Sequence, residues 1–336
     1  MDARMNSVKP ARRRTRCSWS ARRSLGLVLV LLATATSGCS VRRYAVNKVG
    51  DILASGGSVF ESDDDIELIG DALPFGLKLF ESLVAESPRH RGLLLATCRG
   101  FVLYSYGYVE AESERLMEVD LEAARDQRAR ARRLYLRAHQ YCLRGMSVSY
   151  PDFASHLAAE PEVAATLVSA KKTDRDVPLL YWSAVSLALA ISTSRDDAAM
   201  LARLPESEAL VERALELDES WNEGALHSAR MLQIAAHLGD LDVEAIDRHY
   251  RRALELSAGG DAGLFVSYAE TVSVSRQDRS QFTTLLTRAI AIDPDRDPDR
   301  RLQTLFAQRR ARWLLERVDD LILDLGEESR SRGAAL

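Results

Sequence analysis

The chain has 336 residues, of which 46% are hydrophobic, and its 45 basic and 49 acidic residues give a formal net charge of −4. Residues 1–38 contain eight basic residues and one acidic residue, so the remainder carries a net charge of −11. Nucleic-acid phosphates require a basic surface, and this composition therefore argues against a nucleic-acid partner. The remainder is long enough for one large domain or two ordinary ones.

The first 38 residues have the pattern of a secretory signal. A basic region that ends in Arg22 and Arg23 is followed by the apolar run 25–33 and then by small residues. A basic segment, a short apolar segment and small residues before a cleavage point define such a signal, and the apolar run is shorter than the ~20 residues of a membrane-spanning helix. The pair of arginines also raises a twin-arginine export route.

The residues around Cys39 indicate which kind of signal this is. Ser37 and Gly38 precede Cys39 directly, as in bacterial lipoproteins, whose cysteine is alkylated by diacylglycerol and becomes the N-terminus after cleavage. Thr36 stands where Leu is usual, which leaves a plain secretory signal with an incidental cysteine as the alternative. Ser40 follows where Asp would favour the inner membrane. We therefore expect a periplasmic protein anchored to the outer membrane by a lipid on Cys39, with no other cofactor.

The rest of the chain is predicted to be all-α. Residues 39–65 form a polar tether, 66–326 a helical domain and 327–336 a flexible tail. Ala, Leu, Arg and Glu dominate the domain, Gly and Pro are few, and the alternation typical of strands is missing. This pattern predicts a sequence of helices separated by short turns.

Four stretches of the helical domain resemble one another. Each has a small residue near the end of a helix, then a turn, and three of them have a glycine ten positions further on. The small residues are Ser82, Ala214, Ala253 and Ala289, and the glycines are Gly92, Gly224 and Gly263. Small residues let helices approach closely, so the pattern predicts tetratricopeptide-like (TPR-like) helical hairpins stacked in an α-solenoid. Junctions are expected near 87–92, 218–224, 257–263 and 293–299.

A proline-containing segment, about 143–178, interrupts the repeats. We interpret it as an insertion with two short helices at most, packed against one face of the array. Asp176-Val177-Pro178 is a favourable helix start, and the following helix is apolar nearly all round, which predicts that it is buried.

Residues that could carry catalysis or bind metal show no known pattern. The six histidines are scattered, and no CxxC, HExxH, GxSxG or phosphate loop is present, so neither an enzyme nor a metal site is predicted. Cys98 and Cys142 could pair in an oxidising compartment, or remain buried free thiols. The sequence leaves both possibilities open.

Aromatic side chains on two helices are the candidates for ligand binding. Tyr104 and Tyr108 lie four residues apart on one helical face, Tyr106 points elsewhere, and Tyr181 and Trp182 are neighbours on a second helix. Aromatic residues with a polar tip suit a groove or pocket for a ligand with an apolar body and one polar group. We expect the four residues Tyr104, Tyr108, Tyr181 and Trp182 to line one apolar cavity; the alternative is core packing.

Three segments carry a family resemblance. "DALPFGLKLFESLVAESPRHRGLLLATCRGFVLYSYGYV" (71–109), "DVPLLYWSAVSLALAIS" (176–192) with "RDD" (195–197), and "LVERALELDESWNEGALH" (210–227) resemble the TRAP-transporter T-component family of periplasmic lipoproteins. The resemblance implies a TPR-like lipoprotein that pairs with the solute-binding P-component and binds a hydrophobic or organic-acid ligand. A homo-oligomer such as a trimer is also expected. The rival hypothesis is a structural TPR scaffold for cell-envelope assembly.

Overall fold

A computed structural model describes residues 44, 46–52 and 59–323. The predicted signal, Cys39 and the tail 327–336 lie outside the described residues. The chain divides into a unit of residues 1–46 and a unit of residues 47–336, and the helices from Ile66 onward all belong to the second unit. The described secondary structure of this unit is helical throughout, which confirms the all-α prediction. Within the described residues, no helix combines the length and the apolar character needed to cross a membrane.

From Ile66 onward, the α-helices are α1 (Ile66–Glu86), α2 (Arg91–Tyr104), α3 (Ala111–Leu116), α4 (Leu121–Ser147), α5 (Phe153–Ala159), α6 (Pro161–Thr166), α7 (Thr173–Ser192), α8 (Ala198–Leu201), α9 (Leu204–Leu217), α10 (Ala225–Ala236), α11 (Val243–Leu256), α12 (Ala262–Tyr268), α13 (Arg279–Ile290), α14 (Arg301–Glu316) and α15 (Val318–Leu321). Two π-helical segments extend α2 and α12, at Ser105–Glu110 and Ala269–Ser273. Many of the helices begin after an aspartate whose side chain accepts a hydrogen bond from a backbone N–H of the first turn, as Asp65, Asp120, Asp242 and Asp278 do.

The longer helices form two layers. Consecutive contacts run from α1 to α2, α4, α7, α9, α10, α11, α12, α13 and α14. Further contacts skip one helix of this series, joining α2 to α7, α7 to α10 and α12 to α14. In a curved array of hairpins, such contacts arise on the concave side, where the helices are closest together. We therefore call α2, α7, α10, α12 and α14, with their π-helical extensions, the inner layer.

The array closes on itself, because α14 returns to the start of the domain. The Leu302 N–H donates to the carbonyl oxygen of Glu61 over 2.9 Å, and α14 contacts α1. Three ion pairs link α14 and the residue after it to α1, to α3 and to the turn after α3; they are Arg309–Glu67, Arg310–Glu114 and Arg317–Glu118. Gly107 also approaches Phe306 so closely that an added Cβ would lie 2.5 Å from its ring. Segments some 200 residues apart in sequence thus form one closed ring of helices.

The four predicted junctions all connect consecutive helices of the array, but their details differ. Gly92 and Gly263 are each the second residue of a helix, whereas Gly224 precedes its helix with φ of 89°, packed against Ala253. Ala214, Ala253 and Ala289 are buried, as the helix-approach argument requires, but Ser82 is exposed. The first stretch therefore does not share the packing of the other three.

The start of α7 differs from the prediction. The helix begins at Thr173, three residues before Asp176, and Asp176 is fully buried inside it. Its carboxylate accepts hydrogen bonds from the Arg91 guanidinium and the Tyr150 hydroxyl, each over 2.5 Å. A buried carboxylate needs such partners. Because Arg91 belongs to α2 and Tyr150 to the turn after α4, the two hydrogen bonds connect α7 to both of these elements.

Cys98 and Cys142, whose state the sequence leaves open, form a disulfide. Their Cα atoms lie 5.5 Å apart, and both residues are fully buried in the main hydrophobic core. The bond joins α2 of the inner layer to α4, which packs behind it.

Candidate functional site

Charged and aromatic side chains collect on the inner layer, where both π-helical segments lie. The segment after α2 carries Tyr106 and Glu110, and the segment after α12 carries Glu270. α3 and α14 add Glu114 and Arg310, which form an ion pair. π-Helical turns occur frequently at functional sites. We call these five residues the inner cluster.

Tyr106 shows that the inner cluster borders an accessible space. Its side chain is 47% exposed, although Ser105 and Gly107 on either side are buried. Nevertheless, burial by the surrounding protein raises the pKa of the Tyr106 phenol, and the charge of Glu270 raises it further. A side chain that is accessible to water but poorly solvated lies in a recess. The charges that act on Tyr106 come from α3, from α14, from the π-helical segment after α12 and from its own π-helical segment.

Arg310 is fully engaged by carboxylates. Its guanidinium pairs with Glu270 over 2.5 Å and with Glu114, and it stacks on Trp313 with 4.5 Å to the ring centroid. Burial would lower the pKa of Arg310, but the charges of Glu270 and Glu114 raise it above its usual value. The ion pairs connect α3, α12 and α14, so Arg310 both closes the ring and forms part of the inner cluster.

Glu110 has one partner among the described residues. Its Oε2 accepts a hydrogen bond of 2.5 Å from the buried Tyr135 hydroxyl. The half-buried Glu110 makes no other hydrogen bond or ion pair with the described residues. Burial raises the pKa of Glu110 to about 7, the charge of Glu114 contributes, and Arg128 and Arg310 oppose the shift. The partner of Glu110 among the described residues is therefore a hydroxyl group and not a guanidinium or ammonium group.

A second group lies around Tyr181 and Trp182 of α7. The two rings meet edge to face at 5.1 Å, and Tyr181 also contacts Trp221 at 4.8 Å. Arg99 of α2 lies over the Trp182 ring and pairs with the buried Glu61. We call these five residues the α7 group.

Two more charged residues act on the α7 group. Burial and the charge of Asp261 raise the pKa of Tyr181 to about 12, while Arg300 and Arg99 oppose the change. Asp261 and Arg300 pair with each other over 3.3 Å. Tyr181 is therefore near an ion pair formed by the cap of α12 and the residue before α14.

The four predicted ligand-binding aromatics fall into two pairs. The rings of Tyr104 and Tyr108 stack at 5.8 Å, Tyr108 packs against Phe306, and its hydroxyl donates to the carbonyl oxygen of Ile66 over 2.6 Å. Arg130 donates a hydrogen bond to the Tyr104 hydroxyl. Among the described residues, no ring contact joins this pair to Tyr181 and Trp182. That all four line one cavity stays a prediction.

The inner cluster is the part that sequence reasoning missed. A regular helix turns Tyr106 away from Tyr104 and Tyr108, but this other side is the accessible one. A signal was present, because Tyr106, Glu110 and Glu114 recur every four residues, the spacing of one helical face. Glu270 and Arg310 had no such signal, since they join the cluster only through ring closure.

Two surface pockets lie elsewhere. One of about 370 Å³ lies between α6 and α9, and one of about 350 Å³ lies at the junctions before α10, α12 and α14. Neither is lined by any of the four predicted aromatics. In the described part of the chain, no group of three or more His, Cys, Asp or Glu side chains could hold a metal ion.

Comparison with known proteins identifies the family. Residues 62–322, which contain the whole ring, match the family described as TRAP transporter T-component. The chain belongs to the TRAP transporter T-component family. It is also 29% identical over 304 residues to an uncharacterized protein of Treponema pallidum (strain Nichols), covering 86% of this chain and 94% of that relative.

Membership of the T-component family confirms the resemblance seen in the three sequence segments. It supports an accessory role in TRAP transport and association with other TRAP transporter components. The family is one of transporter components and gives no positive indication of an enzyme.

Proposed function

We propose that this T-component is a lipid-anchored periplasmic accessory protein of solute uptake. It binds the solute-binding P-component of its transporter and holds a ligand, with an apolar body and one polar group, against the inner layer. The observation that carries the proposal is that the family match, residues 62–322, spans the same helices that close into the ring. A closed ring with accessible aromatic and charged side chains inside provides a protected surface for a small molecule.

The partner is tested by affinity purification of the full chain from its native envelope, with mass spectrometry of the proteins and small molecules that accompany it. Recovery of a solute-binding protein and a large membrane subunit supports uptake. Recovery of envelope-assembly proteins instead would favour the structural scaffold and overturn the proposal. The same experiment, after cross-linking, measures whether copies of the chain associate as a trimer.

The anchor is tested by replacing Cys39, which lies outside the described residues. We expect Cys39→Ala to release the protein from the membrane fraction, because diacylglycerol supplies the two chains that stable anchoring needs. Cys17→Ala, in the segment before the predicted cleavage point, is the matched control and should leave the protein membrane-bound. A soluble wild-type protein that keeps the residues before Cys39 would contradict the lipid anchor.

A further inference from the structure

The outer side of α1 carries an exposed row of apolar side chains. One side of α1 is buried in the array, and the opposite side carries Leu68, Ala72, Phe75 and Leu79 at positions i, i+4, i+7 and i+11 of one helical face. Leu68, Phe75 and Leu79 are 57%, 76% and 47% exposed. Large apolar side chains that are exposed together, rather than singly, mark a contact surface. We call these four residues the α1 stripe.

The chain that leads to the domain is held beside the C-terminal end of α1. The hydroxyl of Ser87, the residue after α1, donates to Asn47 Oδ1 over 2.6 Å. His90 lies 3.2 Å from Asp51, and the buried Gly50 packs so closely on α2 that an added Cβ would lie 2.7 Å from a side-chain atom of Leu93. Residues 47–51 are therefore attached to the junction between α1 and α2.

This attachment limits how far α1 can lie from a lipid on Cys39. Asn47 follows Cys39 by eight residues, and eight fully extended residues span at most about 28 Å. Along α1, Leu79 precedes Ser87 by eight residues, which is about 12 Å of helix, and the far end of the stripe at Leu68 is about 28 Å away. The α1 stripe thus lies within the reach that the lipid anchor allows.

We propose that the α1 stripe docks on the surface of the membrane that holds the lipid anchor, with its apolar side chains between the lipid head groups and the acyl chains. The proposal rests on the proposed function, since it takes the lipid on Cys39 as given. An anchored domain meets the bilayer at a high effective concentration, so a small apolar contact is enough to orient it. The docked stripe holds the start of the ring against the membrane.

The charges around the α1 stripe indicate an apolar contact. Glu67 and Lys78, which border the stripe, are 75% and 68% exposed and of opposite sign. The chain after residue 38 carries a net charge of −11, so a general attraction to anionic lipids is missing. We therefore expect docking to depend on Leu68, Phe75 and Leu79 and to persist at high salt.

The experiment places a fluorescent label on the stripe of the lipidated protein, in vesicles of phosphatidylethanolamine and phosphatidylglycerol. Leu79→Cys supplies the thiol, because Cys98 and Cys142 are paired and Cys39 carries the lipid. Leu238→Cys, in the turn after α10 at a side chain that is 85% exposed, is the control. We expect lipids with a nitroxide on the acyl chain to quench the label at position 79 at least about fivefold more than the label at position 238.

Removal of the other two large side chains tests the stripe as a unit. Leu68→Ser/Phe75→Ser should lower the quenching at position 79 at least about threefold. Val163→Ser/Leu167→Ser removes two exposed apolar side chains at α6 and should leave it unchanged. Urea unfolding verifies that each variant is folded.

The outcomes separate this inference from the proposed anchor. Equal quenching at positions 79 and 238, or unchanged quenching in Leu68→Ser/Phe75→Ser, would overturn the docking and leave the anchor standing. A label at position 79 with blue-shifted emission but no quenching by nitroxide lipids would mean that a second copy of the chain covers the stripe, which also overturns the docking. Mass spectrometry that finds no lipid on Cys39 would overturn both the anchor and the docking.

Discussion

The disulfide between Cys98 and Cys142 offers the most direct test of the fold. We compare the oxidised protein with the reduced protein and with the double variant Cys98→Ala/Cys142→Ala. The bond connects the inner-layer helix α2 to α4 across 44 residues of sequence. Both cysteines are fully buried, so a reductant reaches the bond only when the protein opens.

The expected effect depends on the size of the closed loop. A cross-link over about 44 residues removes conformational entropy from the unfolded chain, worth about 4 kcal/mol at 25 °C in the chain-entropy model. Measured values are often smaller, because the reduced unfolded chain retains some structure. We therefore expect reduction to lower the free energy of unfolding by about 2–4 kcal/mol.

Urea unfolding, followed by circular dichroism with and without reductant, measures this difference. The double variant serves as the control, because its unfolding midpoint should not respond to reductant. Mass spectrometry after alkylation of the folded, oxidised protein should find neither cysteine labelled before reduction and both labelled after it. If reductant leaves the wild-type midpoint unchanged, or if alkylation of unfolded, unreduced protein labels both cysteines, the assignment of the disulfide is wrong.

Two further predictions concern the closed ring and the inner cluster. Gly107→Ala places a Cβ 2.5 Å from the Phe306 ring and should lower the free energy of unfolding by about 1–3 kcal/mol. Gly76→Ala is the control: its added Cβ lies 3.5 Å from Phe60, and it should raise the free energy of unfolding by about 0.5–1 kcal/mol. If urea unfolding shows that both substitutions stabilise the protein, the contact between Gly107 and Phe306 that closes the ring is wrong. Glu110→Gln should stabilise the protein by about 1–2 kcal/mol above pH 7 and by nothing below about pH 4.5, because the folded-state pKa of Glu110 is raised from 4.5 to about 7 and water partly screens this half-buried group. If the difference in free energy of unfolding between Glu110→Gln and the wild-type protein does not change with pH, the prediction for Glu110 is wrong.

The helical architecture was predictable because its signals are local. The small residues Ala214, Ala253 and Ala289 mark helix ends that the structure buries, and the turns after them fall within the predicted junctions. The start of a helix was harder to predict where a contact with a distant residue overrides the local start signal. Asp176 reads as a helix-initiating acid from its neighbours, but its pairing with Arg91, 85 residues earlier, draws it into the buried interior of α7.

Ring closure was not predictable from one sequence. Its ion pairs join residues about 200 positions apart, as in Glu114–Arg310, and each of these charged side chains reads on its own as an ordinary solvated residue. The close contact between Gly107 and Phe306 could not be predicted from the sequence either, because a single glycine inside a helix has many explanations.

The candidate site was partly predictable for the same reason. The neighbours Tyr181 and Trp182 are identified from local sequence, and the structure places them beside the ion pairs of Arg99 and Arg300. Tyr106 was not identified as a site residue, because a regular helix turns it away from Tyr104. Tyr106 does point away from Tyr104, but the accessible side of the helix is set by α12 and α14, which complete the inner layer.

The double role of Arg310 decides how the inner cluster should be studied. The same guanidinium holds α14 to α3 through Glu114 and pairs with Glu270 on the π-helical segment after α12. Its removal would leave two half-buried carboxylates unpaired and would also remove one of the links that close the ring, so a loss of binding could not be assigned to charge or to shape. Glu110 is free of this ambiguity, because its partner is the Tyr135 hydroxyl, which the glutamine amide can retain. Changes at Glu110 therefore report on the charge of the recess while the ring stays closed.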